Sequence, residues 1–333
     1  MPESKINKFN HLKIHTQYSI CEGAIKIDSL KDFSKENRIR SIAICDTSNL
    51  CGALEFAEKI SKTGTQPIVG TQIQFKYKDT LGLLPLFALS EIGYKRIIEL
   101  SSMSFLNNDD LSEPHVNFEE LLDKNDDIAI FSGTVFGLFG ALFEKGKFSE
   151  IKELYSKLKL NFGDRFYLEI QRHGDSNELG FEKFNLNKSL ELQIPIIATN
   201  EVFYIDKNMY EAHDALICIK NKTYVSEKDR LKLTNQHYLK SDTEMSELFN
   251  DLPEALENNY NFPYRCSFKP FFSKPILPNI SSEKGGNADE VLKKESLDGL
   301  KDKFEKILKI ESKDLSFNKD YSKYKDRLDH ELE

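Results

Sequence analysis

Short apolar runs recur along the first 200 residues, and a segment of helical periodicity follows almost every run. The runs are rich in β-branched and aromatic residues, whereas the segments between them repeat apolar side chains three and four positions apart. The strands predicted from the runs span residues 9–15, 41–46, 68–75, 84–90, 128–132, 166–171 and 195–200. The helices predicted between them span residues 27–37, 51–62, 92–105, 118–123, 138–160 with a break near Gly146, and 178–192.

This alternation is typical of an α/β fold in which helices cover a parallel sheet. Seven strands favour a closed, distorted (βα)7 barrel, related to the eight-stranded barrel. An open doubly wound sheet is the alternative that the pattern leaves.

Beyond residue 200 the pattern becomes mainly helical, with helices predicted at 209–219, 242–249 and 253–262. An extended, proline-containing stretch at 269–280 leads into a Ser- and Gly-rich joint. The highly charged tail repeats apolar residues at helical spacing, which predicts a helix over 289–310. We therefore expect one domain over 7–280 and a helical connector over 281–333. Because the chain stops within another predicted helix, we expect the polypeptide to continue.

Composition narrows the classes of function. Lys and Arg total 46 against 54 Asp and Glu, a net charge of −8, so the chain alone is not expected to bind nucleic acid through phosphate contacts. No apolar run approaches the ~20 residues of a transmembrane helix, and the N-terminus lacks a signal peptide, which predicts a cytoplasmic protein without membrane contact. Five cysteines without a C-x-x-C pair argue against a disulfide framework and a thiolate zinc site.

Candidate functional residues follow the carboxyl ends of the predicted strands, where the loops of an α/β barrel converge. Two imidazoles and two carboxylates among them are metal-ligand types. The residues at these positions are His15, Asp46, Gln72, Thr134, His173 and Glu201. In contrast, His213 is predicted to pack within a helix, and His237 lies in a polar stretch that predicts exposure.

Several segments carry a resemblance to a known family. They include HLKIHTQYSICEGA at 11–24, IAICDTSNLCGALEF at 42–56, FYLEIQRHG at 166–174 and IPIIATNEVFYID at 194–206. In this order, over about 270 residues, the chain resembles the N-terminal region of bacterial DNA polymerase III alpha subunits, which begins with a PHP (polymerase and histidinol phosphatase) domain. The resemblance implies a PHP barrel that belongs to a DNA-directed DNA polymerase, a nucleotidyltransferase of DNA replication.

The resemblance also implies a degenerate metal site. PHP domains hold up to three metal ions, but five ligand positions here carry residues that do not match. These are Lys13 and Phe203 in place of histidines, Thr47 in place of the histidine after Asp46, Gln72 in place of a glutamate and Thr134 in place of a cysteine. The ligands that remain are His15, Asp46, His173 and Glu201.

Four remaining ligands could hold one Zn²⁺ or Mn²⁺, but they could not fill a two- or three-metal hydrolytic centre. We therefore expect no catalytic residue in this pocket and no cofactor beyond such a single ion. The Lys13 ammonium is predicted to lie between Asp46 and Glu201, where it would take the place of a metal cation.

Two functions stay open for the chain. In the first, it is a non-catalytic scaffold that docks the proofreading 3′-5′ exonuclease subunit. Its further partners would be other polymerase III holoenzyme subunits, and DNA would bind to the rest of the polymerase. In the second, it is a metal-dependent phosphoesterase, either an exonuclease or a pyrophosphatase, that retains one metal. Polymerases hold Mg²⁺ with closely spaced aspartates, but no Asp-x-Asp occurs here, so nucleotidyl transfer would belong to residues outside this chain.

Overall fold

The computed structural model describes residues 9–108, 112–275, 287–310 and 320–332, with backbone alone at 307–310. It divides into two compact units, the first ending at Phe272 and the second beginning at Ser273. The joint predicted at 281–286 lies outside the described residues. The predicted domain limits, 7–280 and 281–333, therefore stay predictions.

In the first unit, strands and helices alternate along the chain. The strands are β1 (Lys13–Ile14), β2 (Ser41–Thr47), β3 (Gln66–Tyr77), β4 (Thr80–Ala88), β5 (Val116–Asn117), β6 (Ile128–Phe131), β7 (Phe166–Ile170), β8 (Ile196–Ala198) and β9 (Glu201–Val202). The helices are α1 (Ile27–Glu36), α2 (Ala53–Ser61), α3 (Glu91–Leu106), α4 (Phe118–Asp123), α5 (Leu138–Glu144), α6 (Phe148–Phe162), α7 (Glu178–Leu192), α8 (Tyr210–Asn221), α9 (Asp242–Leu248) and α10 (Pro253–Asn261). Short 3-10 helices lie at Gly163–Arg165, Lys207–Met209 and Phe262–Arg265.

The main sheet has the order β2-β3-β4-β6-β7-β8, and β5 pairs with β3. Most of its strand pairs are parallel, but β4 is antiparallel to both β3 and β6. The expectation of a purely parallel sheet is therefore wrong at this strand. Only Lys78 and Asp79 separate β3 from β4, which is enough for a hairpin but far too short for a parallel crossover.

The two ends of the main sheet meet through β1 and β9. Strand β1 pairs in parallel with β9, so that Lys13 lies opposite Glu201, and β9 follows β8 after two residues. On its other side β1 joins β2, because the Ala43 amide donates to the His11 carbonyl over 2.8 Å. Seven strand positions thus surround one interior, and the predicted α/β class with a distorted seven-position barrel is confirmed.

Apolar side chains from successive strands fill this interior. The buried interior residues include Leu12, Ala43, Cys45, Ile68, Phe87, Phe131, Tyr167 and Ile197. Phe262, which follows α10, packs edge-on against Phe87 and Phe131 and closes one end of the barrel. The candidate residues lie beyond this apolar layer, at or after the carboxyl ends of the strands.

Local sequence accounts for several helix ends. The break predicted near Gly146 separates α5 from α6, and this glycine has a φ of +68°, a conformation that other residues rarely adopt. The Ser90 hydroxyl accepts hydrogen bonds from the Ile92 and Gly93 amides at the start of α3. Ser241 and Glu244 form a capping box at the start of α9.

The second unit contains α11 (Ala288–Ile310) and α12 (Tyr321–Glu331). The Phe304 ring packs edge-on against Tyr321 and Tyr324, at centroid distances of 5.1 and 5.9 Å. The helical character predicted for this charged segment is thus confirmed, whereas its role as a connector stays a prediction. Across the described ranges of both units, no helix combines the length and the apolar character needed to cross a membrane.

Candidate functional site at the barrel mouth

Lys13 lies buried in the barrel, with 1% of its surface exposed. Its Nζ atom is 3.0 Å from Glu201 Oε1 and 3.7 Å from Glu169 Oε1. Burial alone would lower the pKa of Lys13, but the two carboxylates outweigh it and raise this pKa above the ordinary lysine value. The side chain is therefore an ammonium group that neutralises buried acids.

Asp46 does not take part in this ion pair, so the predicted position of Lys13 between Asp46 and Glu201 is wrong for Asp46. Its Oδ1 accepts hydrogen bonds from the Thr16 amide (2.6 Å) and the Ser19 hydroxyl (2.7 Å), and its Oδ2 accepts one from the Thr16 hydroxyl (2.7 Å). Asp46 therefore fastens the loop after β1. A carboxylate that already accepts three short hydrogen bonds has no need of the lysine.

Glu169, on β7, is a site residue that sequence analysis missed. Its Oε1 accepts hydrogen bonds from the Thr199 hydroxyl and, over 2.9 Å, from the Gln171 amide, while its buried Oε2 has no partner among the described residues. Burial raises the pKa of Glu169. The sequence did contain one sign of this role, a glutamate within the otherwise apolar strand FYLEI. Strand alternation turns Glu169 to the same side as Tyr167, which faces the barrel interior.

Glu201 is the other partner of Lys13, and it also binds His15. The His15 Nε2 atom lies 3.1 Å from Glu201 Oε1. Burial opposes the ionisation of Glu201, but Lys13 and His15 hold its pKa well below the usual range. Two of the predicted ligands are thus in direct contact, and the contact is a hydrogen bond between them.

Phe203 occupies the mouth with an apolar ring. It stacks on His15 at a centroid distance of 4.6 Å and an interplanar angle of 21°, and on His213 at 5.3 Å and 19°. The His213 Nε2 atom is 2.7 Å from the Glu22 carbonyl, in agreement with the packed role predicted for this histidine. The position where the resemblance implies the imidazole of an Asp-x-His pair is therefore part of an aromatic stack.

The three remaining predicted positions form local hydrogen bonds. Gln72 donates to the Thr47 hydroxyl over 3.0 Å, and that hydroxyl donates to Glu22 over 2.5 Å. The Thr134 hydroxyl accepts from the Phe136 amide over 3.1 Å. An amide and two hydroxyls are weak substitutes for the carboxylate, imidazole and thiolate of a metal site.

His173 lies in a second group of polar residues, together with His237 and Asp175. His237 is only 1% exposed, so the prediction that it is a surface residue is wrong. Its backbone carbonyl accepts a hydrogen bond from the Phe203 amide, which draws a polar stretch of sequence into the interior. Sequence periodicity gave no sign of this, because residues 222–241 contain neither helix nor strand.

In each histidine of this group both ring nitrogens have an oxygen atom within 3.3 Å, and a neutral ring can donate a hydrogen bond to one of the two. His173 Nδ1 is 3.3 Å from Glu178 Oε1, and its Nε2 is 3.0 Å from Asn200 Oδ1. His237 Nε2 is 3.0 Å from Asp175 Oδ2, and its Nδ1 is 3.2 Å from the Glu201 carbonyl. Burial lowers the pKa of His173 well below its ordinary value, which favours a neutral ring.

The mouth does not fit a metal centre, whereas the ligand atoms of His173, Asp175 and His237 all lie within 4.8 Å of one another, a spacing that one metal ion could bridge. At the mouth, the ammonium of Lys13 occupies the space beside Glu201, and Asp46 is turned away to the loop after β1. In the second group the His173 and His237 rings are parallel within 3°, with centroids 4.1 Å apart. Imidazole binds a metal in its own ring plane at about 2.0–2.1 Å, so two rings stacked in this way cannot bind the same ion unless one turns.

A cavity of about 200 Å³ opens at the barrel mouth above Lys13 and Glu201. Gln72 and Thr134 also line it. The remaining wall is mainly apolar and includes Leu83, Phe136, Phe203, Ile217, Leu231 and Leu233. The mouth thus combines a small charged floor with hydrophobic sides.

Comparisons with known proteins agree with this architecture. Residues 11–173 match the PHP domain family. The DNA polymerase III subunit alpha of Caulobacter vibrioides is 34% identical over 343 residues, which cover 100% of this chain and 29% of the relative. The subunits of Rickettsia conorii and Borreliella burgdorferi are 35% and 33% identical, covering 88% and 98% of this chain but 25% and 28% of their own lengths. The chain thus spans about a quarter of these relatives.

Solved structures give a more distant likeness. An amidohydrolase from Chromobacterium violaceum has a TM-score of 0.38 and 8% identity, over 58% of this chain and 87% of that one. A two-domain protein from Bacteroides vulgatus, described as containing a predicted PHP-like metal-dependent phosphoesterase, has a TM-score of 0.36 and 11% identity, over 71% and 61%. These scores are too low to support an argument about the site. Residues 11–173 of the chain are thus similar to the PHP domain family, and the chain along its whole length is similar to about a quarter of a DNA polymerase III alpha subunit.

Proposed function

We propose that this chain is the PHP portion of a replicative DNA polymerase of the polymerase III alpha class, and that its barrel is a structural module without hydrolytic activity. The observation that carries the proposal is the buried ammonium of Lys13 between Glu169 and Glu201. A fixed cation of the chain itself replaces the charge that divalent ions would otherwise supply.

The electrostatics of the pocket support this interpretation. A metal ion that bound Glu169 and Glu201 together would have to occupy the place of the Lys13 ammonium, which lies 3.7 and 3.0 Å from these two carboxylates. Removing the lysine's proton to admit the ion is unfavourable, because the neighbouring carboxylates stabilise the charged form. The pocket therefore favours its own salt bridge over a metal ion.

DNA synthesis is proposed for the parent protein and not for these residues. The sequence contains no Asp-x-Asp, the arrangement with which polymerases hold Mg²⁺. Reading the gene beyond residue 333 tests the proposal: an Asp-x-Asp within the next few hundred codons would support it, and a stop codon directly after residue 333 would contradict it.

We expect the purified chain, stripped of metal and then offered Zn²⁺ or Mn²⁺, to bind less than one equivalent. It should release neither phosphate from pyrophosphate nor nucleotides from single-stranded DNA, because the mouth lacks the ligands of a two-metal centre. Metal content by mass spectrometry and product release by chromatography provide the measurements. Stoichiometric metal together with turnover that is lost in His173→Ala would instead support the alternative function, a metal-dependent phosphoesterase.

The same proposal assigns the barrel a role as the docking surface for the proofreading exonuclease subunit. We expect immobilised chain to retain the purified exonuclease subunit of the same organism at micromolar concentration, whereas an unrelated bait of similar acidity should not. Absence of binding at that concentration would contradict the docking role but would not affect the proposal that the barrel lacks hydrolytic activity.

A further inference from the structure

The cavity at the barrel mouth has the size of a binding site for a small molecule. Its volume of about 200 Å³ exceeds the roughly 150 Å³ of an engineered protein cavity that binds benzene. Apolar walls with a few polar groups at one end are the usual composition of small-molecule sites. One ring system with a short substituent would fill it.

The aromatic wall of this cavity is held in place. Phe203 is stacked between His15 and His213, and both histidines are themselves hydrogen-bonded, to Glu201 and to the Glu22 carbonyl. The ring therefore cannot easily collapse into the space in front of it. A ligand would find a flat apolar surface already formed, which reduces the entropic cost of binding.

The floor of the cavity offers one carboxylate oxygen to a ligand. Glu201 Oε1 is taken by both Lys13 and His15, whereas Glu201 Oε2 accepts no hydrogen bond from the described part of the chain. The Glu201 side chain keeps 8% of its surface exposed, and it lines the cavity. The unused acceptor is thus accessible from the cavity.

The charges around the floor favour a cation. One ammonium, on Lys13, faces the two carboxylates of Glu169 and Glu201. At the rim, Lys220 is ion-paired with Glu22 and adds no net charge. An anionic ligand would meet Glu201 directly, whereas a cation could bind its free oxygen and lie against the faces of aromatic rings.

We propose that the cavity binds a small organic cation, an amine or amidine that carries an apolar body of about one aromatic ring. The charged group binds Glu201 Oε2, and the body packs between Phe136 and Phe203. The site would give the barrel mouth a ligand of different chemistry from a metal ion, whether or not the chain forms part of a polymerase.

Benzamidine is a suitable probe, and benzyl alcohol and benzoate are its neutral and anionic counterparts. We expect titration of the full chain, followed by NMR chemical shifts or calorimetry, to give saturable binding of benzamidine at least tenfold tighter than that of either counterpart. Glu201→Gln should remove this preference, because the amide keeps the shape of the side chain but loses its charge.

Two surface variants test the location. Leu231 lines the cavity and is 50% exposed, so Leu231→Trp should block the opening, lower the affinity for benzamidine at least fivefold and leave the fold intact. Leu160→Trp, at an 85% exposed position that does not line the cavity, should change nothing. Equal affinity for benzyl alcohol and benzamidine, or undiminished binding in Leu231→Trp, would overturn the proposal.

Discussion

Lys13→Met is expected to lower the free energy of unfolding by about 3–5 kcal/mol, the usual cost of removing one partner of a buried ion pair. Methionine preserves most of the volume of the side chain but leaves Glu169 and Glu201 in the interior without a counter-ion. Glu169 already has one buried oxygen without a partner in the described part of the chain, so no other group there can replace the ammonium. Urea unfolding followed by circular dichroism measures the effect.

The pH dependence of this loss in stability shows whether the two unpaired carboxylates cause it. Without the ammonium, burial raises the pKa of both carboxyls above their unfolded value of about 4.3, so the variant gains stability as these groups take up protons. In the wild-type protein the pKa of Glu201 is lowered, so the stabilisation that it contributes is present at neutral pH and is lost only on strong acidification. The difference in the free energy of unfolding between wild type and Lys13→Met should therefore become smaller as the pH falls from 7 to 5.

Lys62→Met is the matched control, because this lysine is exposed and forms a surface ion pair with Glu58 of α2. Its effect should stay below about 0.5 kcal/mol. Lys13→Met/Glu201→Gln should recover part of the loss, since it removes one of the two unpaired charges. A difference between Lys13→Met and wild type that is the same at pH 5 and pH 7 would show that the lysine does not neutralise these acids.

Most of the barrel could be predicted from the sequence. Each of the seven predicted strands overlaps an observed strand, because buried strands are short, apolar and separated by helical periodicity. The direction of β4 could not be predicted from apolar pattern alone, since it depends on the two-residue turn at Lys78 and Asp79. The strand β9 is two residues long and is defined by its pairing with β1, which no local pattern indicates.

The site was harder to predict than the fold. The substitution at Lys13 indicated an ammonium in the pocket, but its partners depend on which side chains face inwards across the barrel. Asp46 has strong local donors in Thr16 and Ser19, and these donors outcompete a distant lysine. Glu169 lies on β7, two strand positions from Lys13 on β1, and only the pairing of β1 with β9 at the closure of the sheet brings them together.

That closure also explains why the mouth can lose its metal ligands and keep its shape. The carboxyl ends of the strands are held by direct contacts between side chains: Lys13 joins β1 to β7 and β9, and Asp46 joins β2 to the loop after β1. Each of these contacts links neighbouring segments directly, whereas a metal ion would link several strands through its shared ligands. At the opposite end of the same seam, where the chain before β1 approaches β8, the Asn259 side chain of α10 bonds to both segments.

Asn259→Ala is expected to lower the free energy of unfolding by about 3–5 kcal/mol, because it leaves three buried backbone groups unpaired at about 1–3 kcal/mol each. Asn259 Oδ1 accepts from the Asn10 amide over 2.8 Å, and its Nδ2 donates to the carbonyls of Asn10 and Ala198, both over 2.9 Å. The side chain is fully buried, so water cannot easily replace it. Thermal and urea unfolding of the full chain measure the loss.

The exposed Asn261, at the end of the same helix, supplies the control, and Asn261→Ala should change stability by less than about 0.5 kcal/mol. Hydrogen exchange adds a local test. The amide of Asn10 should lose protection in Asn259→Ala by a larger factor than amides in the middle of β3, because the seam opens before the hairpin of β3 and β4 does. Equal loss of protection at both places would mean that Asn259 stabilises the whole unit and has no special role in closing the barrel.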